Sequence, residues 1–190
     1  MTSRRQLILA ETNNDIDAIL RAQDDDDPHV RALALGSLDR LGELSDELLT
    51  AALTDPDRSV RIRSIELAFD RQHLDLIPGL LDKDDLVVET TAWALGERES
   101  PDSATIGALV ETATDHEVSI WREAAIAALG AIGHEDGLPA ILGGLQDRAP
   151  VRRRAVLALA PFDTPEVTTA LENALNDRDR QVRQAAEDLL

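Results

Sequence analysis

The sequence contains no cysteine. Disulfides, thiolate metal ligands and cysteine nucleophiles are therefore excluded. Tyrosine is also absent, and two phenylalanines and two tryptophans make up an aromatic content of 2%. Such a chain cannot build its core around large rings. Lysine is nearly absent: of 19 basic residues only Lys83 is one, against 37 acidic residues, for a net charge of −18. That field opposes a polyanion, so binding driven by nucleic-acid phosphates is not expected. Long apolar runs are missing too. After Met1-Thr2-Ser3-Arg4-Arg5 come four apolar residues, Leu7 to Ala10. That is too few for a signal-peptide core or a membrane span, and a cytoplasmic location is expected.

Familiar catalytic patterns are lacking as well. No G-x-S-x-G elbow, glycine-rich phosphate loop or EF-hand spacing occurs. Gly133 and the Gly143-Gly144 pair read as helix ends or tight packing sites. His29, His73, His116 and His134 never fall three or four apart, so no helix presents a histidine pair to a metal. The adjacent His134-Glu135 falls in a turn. No catalytic residue, cofactor or metal site is expected.

What is present is aliphatic. Hydrophobic residues are 43% of the chain, mostly Leu, Ala, Val and Ile. That suffices for one domain over 1–190, and small aliphatic side chains let helices approach closely. The acidic, lysine-poor composition resembles that of an extreme halophile, of haloarchaeal type, which such charge keeps soluble in salt.

The apolar residues repeat. Segments opening on a branched residue and arginine recur at Val30-Arg31, Val60-Arg61, Val151-Arg152 and Val182-Arg183. Val87-Val88 and Trp121-Arg122 are degenerate copies, and the spacings are 30, 27, 34, 30 and 31. Four or five residues on stands Ala34, Ser64, Ala92, Ala125, Ala155 or Ala186. Eight residues on stands Leu38, Ala68, Leu95, Leu129, Leu159 or Leu190. An acidic turn precedes each copy, as in Asp55-Pro56-Asp57. Before the turn lies a shorter apolar helix, expected over 15–23, 45–54, 73–82, 102–114, 136–146 and 165–176. Ser45, Asp75, Asp136 and Thr164 are placed to cap these helices. The unit is thus helix A, acidic turn, helix B. Six units fall at about 15–43, 44–72, 73–100, 101–134, 135–162 and 163–190, with an N-terminal capping helix at 3–11. A single hairpin cannot bury its own apolar face, so such units stack.

The pattern D-x-x-x-x-V-R-x-x-A-A-x-A-L-G resembles the HEAT-like repeat first described in phycobilisome lyases, over about nine tenths of the chain. The resemblance implies an all-α fold: a right-handed α-α superhelix, or α-solenoid, of six helical hairpins plus the N-terminal helix.

The recurring arginine invites an ion pair with the aspartate of its own turn. The expected pairs are Asp25 with Arg31, Asp55 with Arg61, Asp115 with Arg122, Asp147 with Arg152 and Asp177 with Arg183, forming a ladder along the stack. Unit three, with Val88 in the arginine position, lacks its rung. Trp121 reads as an oversized core residue, and the stack is expected to end inside helix B of unit six at Leu189-Leu190, where a partner or a second copy can dock.

The resemblance also implies that the B helices line a concave, partner-binding face. Its exposed positions are Arg63 and Glu66 in unit two; Glu89, Thr90, Trp93 and Glu97 in unit three; Glu123 and Ala127 in unit four; and Arg153, Arg154 and Leu157 in unit five. Trp93 reads either as a binding anchor or as a residue packed into the neighbouring repeat. The expected function is a non-catalytic protein-binding scaffold or adaptor in signalling or complex assembly. Two alternatives come with the family. One is a lyase-like or metal-dependent hydroxylase-like enzyme, although one His-Glu pair cannot build the di-iron site of deoxyhypusine hydroxylases and no bilin site is visible. The other is nucleic-acid binding, as in HEAT-like DNA glycosylases, which the charge opposes.

Overall fold

The computed structural model describes Thr2 and residues 4–190. Among the described residues there are twelve α-helices, three short 3-10 helices and no strand. They form two compact units, the first ending at Asp75 and the second spanning Leu76–Leu190.

The first unit holds α1 (Arg4–Thr12), α2 (Ile16–Arg21), α3 (Pro28–Leu41), α4 (Asp46–Ala52) and α5 (Arg58–Ala68). Here α2 pairs with α3 and α4 with α5, α3 packs on α5, and α1 packs on α2 and α3. The N-terminal helix expected over 3–11 corresponds to α1; Met1 and Ser3 lie outside the described residues.

The second unit opens with a 3-10 helix, Ile77–Leu81, followed by α6 (Asp85–Gly96), α7 (Ser103–Asp115) and α8 (Ser119–Ile132). A 3-10 turn, Glu135–Gly137, then leads into α9 (Leu138–Gly144), α10 (Ala149–Ala158), α11 (Pro165–Ala174) and α12 (Arg180–Glu187). The B helices α6, α8, α10 and α12 pack on one another in sequence, while α7 packs on α8 and α9.

The acidic turns explain why each B helix begins where it does. In Asp25-x-Asp27, Asp55-x-Asp57, Asp82-x-Asp84 and Asp177-x-Asp179, the first aspartate's Oδ1 accepts the amide of the second at 3.0, 2.8, 2.9 and 2.7 Å. The second aspartate then accepts the amide two residues further on, of His29, Ser59, Leu86 and Gln181. The first carboxylate closes the turn and the second caps the helix, satisfying amides the helix cannot pair.

The repeat positions are core. Ala34, Ser64, Ala92, Ala125, Ala155 and Ala186, and also Leu38, Ala68, Leu95, Leu129 and Leu159, are each no more than 1% exposed. Leu190 is the exception at 62%, because α12 ends at Glu187 and the final leucine lies past the helix. The outward side of α12 is polar, with Gln181, Gln184, Glu187 and Asp188 exposed.

Helix 73–82 is a second departure. It shrinks to the 3-10 segment Ile77–Leu81, with Pro78 in its first turn. The preceding residues form a turn instead, tied down through Asp46, which accepts from Arg71 Nη1 at 2.6 Å and contacts His73 Nε2 at 2.5 Å. Asp75 therefore lies ahead of the helix, and Leu76 occupies its N-cap position. Ser45 and Thr164 cap α4 and α11 as expected. Asp136 does not cap: it lies inside the 3-10 turn, where its amide donates to His134 Nδ1 at 3.2 Å.

Candidate protein-binding groove

The B helices are held in register by arginine. Arg122 donates from Nε and Nη2 to Asp147 at 2.6 and 2.8 Å, and Arg152 grips Asp177 at 2.8 Å through the same two atoms. In the first unit Arg31 holds Asp55 at 2.8 and 2.7 Å. Each Nη1 donates instead to main-chain carbonyls of its own turn: Arg31 to Asp25 and Asp26, Arg122 to His116 and Glu117, Arg152 to Asp147. Arg61 and Arg183 reach the carbonyls of Asp55 and Asp177 in the same way.

The ladder thus runs from one repeat to the next, and the pairing expected inside each repeat is corrected. An arginine in the first helical turn points back toward the helix N-terminus, where carbonyls of its own turn await. The turn aspartate is already folded onto an amide just ahead, two residues on at Asp55 and Asp177 and one on at Asp147, and each of the three also meets the arginine of the preceding repeat. The guanidinium neighbours hold the Asp147 and Asp177 carboxyls below the ordinary aspartate range.

Unit three has Val88, fully buried, where the others have arginine. A different link takes its place: Trp121 Nε1 donates to Asp85 Oδ1 at 2.6 Å, joining α8 to α6. Trp121 is 8% exposed, as a core residue should be, and stacks on His116 with ring centroids 4.0 Å apart.

Close helix contacts set the floor of the groove that α6, α8 and α10 form. A Cβ on Gly96 would lie 2.9 Å from the Ala128 Cα, and one on Gly130 would lie 2.6 Å from the Ala158 Cβ. Glycine at these two positions lets the helices touch backbone to backbone. The groove has a volume of about 420 Å³, with a floor of Gly96, Ala124, Ala127, Ala128 and Ala131. Trp93 and Ile120 stand along it, 46% and 42% exposed. Glu89, Glu97, Glu123 and Arg154 complete its lining. Arg154 Nε approaches Glu123 Oε1 at 3.6 Å, an ion pair looser than a direct hydrogen bond. Burial raises the Glu89 carboxyl above its ordinary range, and nearby Asp85 and Glu123 add to the rise.

Of the residues placed on this face from the sequence, Glu89, Trp93, Glu97, Glu123, Ala127 and Arg154 come together here. Thr90 turns its hydroxyl onto Leu86 O at 2.7 Å, while Arg153 is exposed and Leu157 half-buried on α10, outside the lining. Arg63 and Glu66 belong to the first unit, where they pair at 3.0 Å. Arg63 also lines a hollow of about 810 Å³ with Arg4, His29 and Arg40, and Arg40 is paired there with Glu11 at 2.7 Å. Sequence reasoning missed Ile120, one residue ahead of its repeat position, and, of the alanine floor, all but Ala127: Ala124, Ala128 and Ala131 read as core. No group of three or more histidine, aspartate or glutamate side chains among the described residues could hold a metal ion. No helix among them is long and apolar enough to cross a membrane.

Antiparallel helix pairs, acidic turns and an arginine ladder define a helical-repeat protein of the α-solenoid class. The HEAT-repeat family matches residues 45–130 and 106–190, and the chain belongs to that family. No curated protein sequence matches it. Solved structures show the same fold. An engineered protein is 18% identical at a TM-score of 0.59, over 93% of this chain and 95% of its own. A designed armadillo repeat protein in complex with the peptide (KR)4 is 15% identical at 0.56, over 90% and 96%. Human deoxyhypusine hydroxylase in complex with glycerol is 21% identical at 0.51, over 97% and 75%. At these identities the likeness extends to fold alone.

Proposed function

We propose that this HEAT-repeat protein is a non-catalytic scaffold that holds a partner protein in the groove of α6, α8 and α10, in signalling or complex assembly in a cytoplasm of high salt. One observation carries the reading: a half-exposed tryptophan stands over a floor of alanine and glycine, in a chain with two tryptophans in all. Tryptophan dominates interface energetics, and a smooth floor lets a partner approach closely. HEAT and armadillo repeats are typical of protein-binding scaffolds, and the designed armadillo neighbour holding a peptide is a likeness in the same direction. Phosphate backbones fit poorly against Glu89, Glu97 and Glu123. Association of two copies through α12 is the weaker proposal, since Gln181, Gln184, Glu187 and Asp188 are exposed on that helix and its C-terminal end.

The test is affinity capture from an extract of the source organism by immobilised wild type and Trp93→Ala, at matched melting temperature. The reading expects a discrete set of proteins on the wild type that the variant loses. An identical set on both removes Trp93 from the site.

A further inference from the structure

We propose that the occupant of this groove is a cationic linear segment, an arginine- or lysine-bearing stretch with aliphatic neighbours, seating one cation over Trp93 among Glu89, Glu97 and Glu123. The proposal rests on the scaffold reading and adds the chemistry of the partner.

Glu89, Trp93 and Glu97 are four residues apart along α6, so they share one stripe with the indole between two carboxylates. Glu123 faces them from α8, and all four line one groove. Three carboxylates there meet one guanidinium, that of Arg154, leaving an excess of negative charge. At 3.6 Å from Glu123, Arg154 is close enough to mark where a cation sits, yet held loosely enough to be displaced. Between the carboxylates stands a half-exposed indole, a ring type that attracts cations.

The floor selects further. Ala124, Ala127, Ala128 and Ala131 offer apolar surface without bulk, and Ile120 adds an aliphatic wall. The methylene stem of arginine or lysine lies well against such a surface while its head stays among the carboxylates. An anionic segment would set like charge against Glu89, which is already crowded by Asp85 and Glu123. A neutral apolar segment would leave those carboxylates desolvated and uncompensated.

The experiment titrates the intact chain against a fluorescein-labelled octapeptide of alternating arginine and leucine, followed by fluorescence anisotropy at low and high salt. Glutamate–leucine and serine–leucine octapeptides serve as comparison. Saturable one-to-one binding of the arginine peptide is expected. The triple variant Glu89→Gln, Glu97→Gln, Glu123→Gln should weaken it about tenfold or more. Removing three exposed carboxylates elsewhere (Glu43→Gln, Asp70→Asn, Glu172→Gln) should change it less than about threefold, which separates the groove from the general field of the chain. Equal losses in the two triple variants overturn the proposal, as does tighter binding of the glutamate or serine peptide. A rise in mass with concentration that Trp93→Ala abolishes makes a second copy the occupant and also overturns it. The two readings fail separately: if Trp93→Ala loses its captured proteins while the glutamine triple variant keeps wild-type peptide affinity, the scaffold stands and the cationic occupant falls.

Discussion

Arg122 closes on Asp147 with both Nε and Nη2, at 2.6 and 2.8 Å, while its Nη1 holds the carbonyls of His116 and Glu117. One side chain thereby ties its own turn to the turn of the next repeat. Both partners are largely shielded, with side-chain exposures of 15% and 18%. Removing one leaves the other unpaired in a poorly solvated place. Arg122→Ala should cost about 2–3 kcal/mol in urea unfolding. A double-mutant cycle with Asp147→Asn should show coupling above roughly 1 kcal/mol. Additive single effects would mean that the two act independently.

The same pairing sets the acid limit of stability. Asp147 and Asp177 are held below their ordinary range by Arg122 and Arg152, and Glu11 is held down to about 2 by Arg40 and Ser37. A carboxyl whose folded value is depressed contributes stability above its unfolded value of about 4, and loses it as pH falls through the folded value. The melting temperature should therefore be nearly flat from neutrality to about pH 5, then fall steeply below about pH 4. Asp177→Asn should melt lower at neutrality and fall less steeply in acid. A melting temperature that rose on acidification would contradict the assignment.

Two glycines should respond in opposite directions to alanine. Helical Gly→Ala ordinarily stabilises by about 0.5–1 kcal/mol. Gly107 on α7 has open space around its Cβ position, so Gly107→Ala should show that gain. Gly130 has the Ala158 Cβ and Cα at 2.6 and 2.7 Å from where its Cβ would stand. Overpacking there should outweigh propensity, and Gly130→Ala should destabilise by about 1–2 kcal/mol. Equal gains at both sites would show that α8 and α10 are not in backbone contact.

Trp121→Phe keeps most of the apolar volume but deletes the bond to Asp85. The carboxylate would then lack its indole donor beside Glu89. The expected cost is about 1–2 kcal/mol by chemical unfolding at neutral pH. An unchanged midpoint would show that the indole N–H contributes nothing.

The B helices were legible in the sequence because burial requires a small residue and a leucine at fixed offsets from each branched residue. Ser45 and Thr164 were legible as caps for a similarly local reason. Partner choice between repeats was not. A turn aspartate lies about six residues before its own arginine and about twenty-five after the preceding one, and spacing alone favours the nearer. The Asx turns of Asp55 and Asp177 decide otherwise: each carboxylate folds onto the amide two residues on and accepts the arginine of the preceding repeat. The third A helix was over-read because its leucines suggest a helix, whereas Pro78 and the Arg71–Asp46 bond confine it to one short 3-10 segment. In the groove, α6 could be read from its period. Of the alanine floor only Ala127 could, since alanine at a helix contact and alanine at a groove surface look alike in one dimension.

Site-specific photo-crosslinking tests the groove most directly. Benzoylphenylalanine is placed either at Ala127, on the groove floor, or at Gly107, exposed on α7, and each protein is irradiated in an extract of the source organism. The account predicts an adduct of discrete mass from Ala127 and none from Gly107. Adducts from Gly107 with none from Ala127 would place the partner on the other side of the helix pairs and contradict it.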